Sequence, residues 1–202
     1  MAVTQDPKSA GAWSNRGIAH RLLGEPDKAL ADYDQAIELD KQFASAWHNR
    51  GLLHYHQGRF GKAEADLSQA IELKWPTSRE WLAWLLAMCP DPAYRDARRA
   101  VELAKQAVAA NPKDGKCLHT LACAHYRAGD YKLTVAAIDK IKTLAKPGDG
   151  WFVLAMAQWQ LGNKDEARQC YDQAVKYMDS YHSNDMEIRR CRAEAAELLG
   201  VK

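Results

Sequence analysis

Small and apolar residues return along this chain in steps of three and four, the period of an amphipathic helix, and the whole pattern returns after 34 residues. Trp13, Gly17 and His20 mark one face of a first helix, Gly24 a turn, and Ala29, Tyr33 and Ala36 one face of a second. Trp47, Gly51, His54, Gly58, Ala63, Leu67 and Ala70 repeat that order one period later, and Trp81 opens a third. Small residues at matching places on consecutive helices let the backbones approach, so each period predicts an antiparallel helix hairpin. Trp75-Pro76 closes the second, because proline cannot continue a helix.

The later periods are less regular. The third starts at Trp81, Trp84 and Leu85, but its second helix comes into register only at Ala100, Ala104 and Ala107, before Asn111-Pro112. Three extra residues fall within Cys89 to Asp96, where two prolines and two aspartates predict a protruding loop in place of a tight turn. The fourth keeps Leu118, Leu121, Ala122, His125, Gly129, Ile138 and Ile141 but has Thr134 where alanine is usual, which predicts a wider helix contact there. The fifth restores Trp151, Leu154, Ala155, Gly162, Ala167, Tyr171 and Ala174. After a polar link, a last helix from about Met186 to Leu199 carries Ile188, Cys191, Ala195 and Leu198 or Leu199 on one face, with Arg189, Arg190, Glu194 and Glu197 elsewhere.

On these residues the chain resembles the tetratricopeptide repeat (TPR) family over nearly its whole length. The resemblance implies an all-α fold, a right-handed superhelical solenoid of helix-turn-helix repeats ending in a capping helix. It implies one TPR domain over 1–202, with repeats near 10–43, 44–77, 78–114, 115–147 and 148–181 and the cap at 186–199. Ile188, Cys191, Ala195 and Leu198 would then cover the face that the fifth repeat offers to a sixth. The Trp81 to Ala100 block and the closing segment also look like the TPR arrays at the C-terminal ends of large bacterial multidomain proteins. This marks the chain as a candidate piece of a longer polypeptide.

A formal net charge of +2 with interspersed signs argues against a charge-driven nucleic-acid or membrane-surface binder. Five cysteines at unrelated spacings, with no leader segment, predict a reduced, cytoplasmic protein. No apolar run approaches the roughly 20 residues of a membrane span. Cys117, His119, Cys123 and His125 do not converge on one helix at about 100° per residue, and the pair His119 and Cys123 alone is too few for a structural zinc site. No metal or other cofactor is therefore expected. His20, His54 and His125 share the eleventh place of their repeats, where core packing accounts for them. With no phosphate loop, His-Glu-x-x-His or nucleophile elbow, the chain reads as non-enzymatic.

Family likeness implies a concave groove lined from the first helices. The matching positions form a mostly apolar track: Ile18, Leu22, Leu52, Tyr55, Leu82, Leu86, Cys123, Tyr126, Phe152, Met156 and Trp159. Beside it stand donors and positive charge, among them Ser14, Arg21, His48, His56, Arg79, Lys116, His119, Arg127 and Gln160. Of the five polar groups that the family uses to grip an acidic chaperone tail, this sequence retains Asn49, with Ser14, Ile18, Arg79 and Ala83 at the other places. A carboxylate clamp is not expected. The expected function is a protein-interaction scaffold whose groove takes a peptide or helix with apolar anchors and some acidic residues. Against it stands packing of the track against itself or the final helix. A second functional reading is a structural or oligomerisation element that docks its uncapped first repeat on another copy or on an upstream domain.

Overall fold

The computed structural model describes residues 6–144, 150–180 and 185–201. Among the described residues there are eleven α-helices, one short 3-10 turn and no strand. The helices are α1 (Ala10–Leu22), α2 (Pro26–Leu39), α3 (Ala44–His56), α4 (Phe60–Glu72), α5 (Ser78–Met88), α6 (Ala97–Ala110), α7 (Gly115–Arg127), α8 (Tyr131–Leu144), α9 (Gly150–Gln160), α10 (Lys164–Ser180) and α11 (Met186–Leu199). The chain falls into two compact units, Met1–Leu85 with Cys89–Tyr94, and Leu86–Met88 with Arg95–Lys202.

In the first unit, α1 packs on α2 and α3 on α4, each hairpin turning at a glycine. Gly24 and Gly58 have φ of +74° and +72°, which side chains adopt only under strain. Gly17 and Gly51 serve close approach: a Cβ on Gly17 would meet the Tyr33 ring at 2.7 Å, and one on Gly51 would meet Asp66 and Leu67 at 3.1 Å. The tryptophans recur because each pins its hairpin to the turn before it. Trp13 Nε1 donates to the Pro7 carbonyl at 2.8 Å, and Trp47 Nε1 to the Lys41 carbonyl at 3.0 Å. Arg16 and Arg50 stack over those rings at 4.5 and 4.8 Å while forking onto Asp32 and Asp66 of the paired helix.

The insertion of the third repeat is exposed from Pro90 to Tyr94, as a protruding loop would be, but it is tethered. Cys89 is fully buried, Pro92–Tyr94 forms the 3-10 turn, and the Tyr94 ring lies 5.7 Å from that of Phe60. The Tyr94 ring also lies over Gly61, where an added Cβ would make ordinary contact with it at 3.5 Å. Aromatic stacking thus holds a segment that its two prolines alone would leave extended.

In the second unit α7 packs on α6 and α8, and α9 on α8 and α10. Ala100, Ala104, Leu118, Ala122, Ile138, Leu154, Ala155 and Ala167 form its core. Thr134 is fully buried there, and its hydroxyl donates to the carbonyl of Asp130, the residue before α8. The last helix closes the array with Cys191, Ala195 and Leu199 buried, but its seat is not that of a sixth first helix. Toward the repeat before them, first helices α3, α7 and α9 lie more on its second helix than on its first, whereas α11 lies mainly along the first helix α9 and only lightly on α10.

Candidate functional site

The first-helix face of the first unit keeps apolar surface beside charge. Ile18, Arg21, Leu52 and Arg79 are half-buried, His56 is exposed, and Leu22 is 73 % exposed. His48, Tyr55 and Leu82 were expected to line the same track, yet all three are buried. Tyr55 sits inside an aromatic cluster with Phe60 at 5.9 Å and Trp81 at 6.5 Å, and its hydroxyl accepts from Trp84 Nε1 at 3.3 Å. His48 is bonded to Ser78 Oγ at 2.9 Å, and burial lowers its pKa to about 4. Asn49, the retained clamp position, donates to Ser45 of its own helix.

The second unit presents a different face. Cys123, Phe152 and Met156 are fully buried and Leu86 nearly so, so the open apolar track expected there is not at the surface. Phe152 packs edge-on against Tyr171 inside the hairpin, ring centroids 5.7 Å apart. His119 and Tyr126 are half-buried and Lys116 is exposed. Half-buried Trp159 has Lys164 Nζ 3.6 Å above its ring.

Arg127 organises what remains. Its Nε donates to the Ala87 carbonyl at 3.2 Å, and its Nη1 and Nη2 donate to Glu194 of α11 at 2.5 and 2.6 Å. Burial opposes that charge, but the Glu194 carboxylate outweighs it and holds the guanidinium above its usual range. Arg190 of α11 donates to the Met88 carbonyl at 2.5 Å. Sequence reasoning set Glu194 and Arg190 apart from the packed stripe; they flank it, four residues apart, next to Cys191 and Ala195. That adjacency was the available signal.

The histidines at the eleventh place do more than fill space. His20 meets Glu25 at 2.5 Å and His125 meets Asp130 at 3.4 Å, each tying the first helix to the turn that follows. Repeat two has Arg59 in the acid's place, and there the buried Nδ1 of His54 has no partner. His119 and Cys123 do come together, Nε2 to Sγ at 3.5 Å, but among the described residues no group of three or more His, Cys, Asp or Glu is placed to hold a metal.

Residues 10–43 and 44–74 match the model of the tetratricopeptide repeat, and 152–200 match a second model of the same description. The chain belongs to the tetratricopeptide repeat family. Residues 93–174 match the model of anaphase-promoting complex, cyclosome, subunit 3. No curated protein is similar enough in sequence to count as a relative. Among solved structures, the chain is similar to YrrB, described as a TPR protein with an unusual peptide-binding site, at 17% identity and TM-score 0.71 over 95% of this chain and 96% of that one. It is similar to a chain of the APC/C hetero-tetramer Cut9-Hcn1 at 17% identity and TM-score 0.74, covering 96% of this chain but 38% of that one. It is also similar to Pseudomonas aeruginosa PilF at 19% identity and TM-score 0.69, covering 95% and 85%. At such identities the likeness is one of fold. TPR arrays act in general as non-catalytic protein-interaction scaffolds, and this chain has that architecture. No helix among the described residues is long and apolar enough to cross a membrane.

Proposed function

We propose that this TPR protein is a binding scaffold whose first unit takes a segment of another protein on its first-helix face, through Ile18, Leu22 and Leu52 as apolar contacts. Arg21 and Arg79 favour acidic residues beside the anchors. The observation that carries this is the contrast between register-equivalent positions. Cys123 and Met156 are buried and Arg127 is bound to a helix, while Ile18 and Leu52 keep exposed surface and Leu22 is 73 % exposed. Apolar surface beside charge on a solenoid is where partners bind. The likeness to YrrB supports a peptide as one form of ligand. Five buried thiols fit a reducing, cytoplasmic setting.

Selecting a peptide library on the full chain, then titrating the winners against Leu52→Glu, Arg79→Glu and an exposed second-helix control, Ala31→Glu, tests the assignment. Loss of a central anchor costs about 2 kcal/mol, roughly thirtyfold in affinity, so Leu52→Glu should bind at least that much more weakly. Equal binding by all three folded variants would move the site off this face. The second reading, self-association through the first repeat, rests on Leu22 and Leu23, 73 % and 74 % exposed. A mass that rises with concentration, and that Leu23→Glu reverses, would favour it.

A further inference from the structure

Helix α11 is a ligand-like element. Its buried stripe is Cys191, Ala195 and Leu199, spaced by four, with Ile188 and Leu198 only half-buried. By comparison, α9 buries eight of its eleven residues. With only three of its fourteen side chains buried, α11 is held by a narrow apolar stripe together with polar anchors that fix its orientation. Glu194 enters the Arg127 fork and Arg190 reaches the Met88 carbonyl at the end of α5. These anchors draw α11 toward α7 and α9 and away from the stacking place on α10. A cleft of about 410 Å³ remains between α10 and α11, lined by Tyr171 and Met178 on one side and by Arg189, Arg192, Ala193 and Ala196 on the other.

We infer that the first-helix face of the second unit, made by α7, α9 and the carbonyl end of α5, is a reversible docking site for an amphipathic helix, with α11 its resident occupant in the free protein. The partner it fits is a helix of another protein with small apolar residues every four positions and a carboxylate facing Arg127. The carboxylate is required because a half-buried guanidinium left unpaired is costly, so only a ligand that supplies the charge can replace Glu194. The site is separate from the one proposed on the first unit, and its test does not depend on that reading.

The probe is a labelled peptide of residues 185–201, titrated into the full chain. Wild type should bind it weakly, because α11 holds the site. Glu194→Arg sets two cations against each other, releases α11 and should raise peptide affinity by about tenfold or more. Adding Arg127→Glu to that variant should re-seat the reversed pair, read as restored hydrogen-exchange protection of the α11 amides. Hydrogen exchange on the wild type is the second measurement: α11 amides should exchange through an opening that leaves α9 protected. The inference is overturned if α11 exchanges only together with α9, or if folded Glu194→Arg binds the peptide no better than wild type.

Discussion

Arg59→Glu should stabilise the protein, although it changes an exposed residue and touches no core side chain. Two effects act in one direction. His54 Nδ1 is buried without a partner, and the acids at the same place in repeats one and four, Glu25 and Asp130, bond their histidines at 2.5 and 3.4 Å. Supplying that partner is worth about 0.5–1.5 kcal/mol as a net hydrogen bond. Residue 59 is also the N-cap of α4, where it makes no side-chain cap bond, and replacing a cation by an anion at a helix N-terminus contributes roughly 0.3–1 kcal/mol. Burial is the main cause of the lowered His54 pKa and the Arg59 charge adds to it, so the substitution should also let that pKa rise. The sum is about 1–2 kcal/mol. In a chain of this size that is on the order of 2–8 °C in Tm, read by thermal and urea unfolding. An NMR titration should show the His54 pKa rising in the variant. An unchanged Tm together with an unmoved His54 pKa would refute the pairing rule from which the prediction is drawn.

Three further outcomes follow from the same geometry. Gly17→Ala should destabilise in urea, because a Cβ 2.7 Å from the fully buried Tyr33 ring costs about 1–3 kcal/mol and outweighs a helix-propensity gain of about 1 kcal/mol; Gly51→Ala, with its nearest contacts at 3.1 Å, should come out near neutral, and a stabilised Gly17→Ala would be contrary evidence. Stability should fall between pH 6.5 and 4 by on the order of 3 kcal/mol from His48 alone: its folded pKa, about 4, lies below the unfolded value, so protons bind the unfolded chain first as pH drops. His48→Gln should flatten that part of the pH–stability curve. Asp66→Asn should cost more than Asp34→Asn by melting, since both accept from Arg50 but the Asp66 side chain is 7% exposed and that of Asp34 60%.

The hairpins were legible because Trp, Gly and Ala occupy places where packing leaves little choice. Trp13 must reach a carbonyl of the preceding turn, and Gly17 must clear a tyrosine ring, so both needs recur with the period. The seat of α11 was not legible. The helix lies outside the 34-residue repeat, and its two anchors are charged residues whose pattern is the same whether they meet water or groups on neighbouring helices. Tyr94 was hidden for a related reason: Cys89 to Asp96 has no periodicity, and what fixes it is an aromatic contact with Phe60, distant in sequence. Burial of Phe152 escapes the repeat register because register gives a residue's angular place on its helix, while Tyr171 across the hairpin decides whether that place is open.

The two units solve one packing problem in two ways. At the seventh place of the first helix and the facing place of the second, the first unit has Arg16 with Asp32 and Arg50 with Asp66, each arginine also lying over a tryptophan. In the fourth and fifth repeats the corresponding residues are Leu121 with Ala137 and Leu154 with Cys170, and burial raises the Cys170 thiol to about 11, keeping it neutral. Exchanging a buried ion pair for apolar residues is commonly near neutral in stability, so either solution holds a hairpin together. They differ in where charge ends up. Arg50 is committed between helices, held above its usual range first by Asp66 and then, against burial, by Asp34. With no such pair inside its α7–α8 hairpin, the second unit instead places an arginine at the end of α7. There Arg127 faces outward from the hairpin and meets a carboxylate carried by a separate helix. The same type of side chain that fastens a hairpin in one unit thus fastens a separate helix in the other.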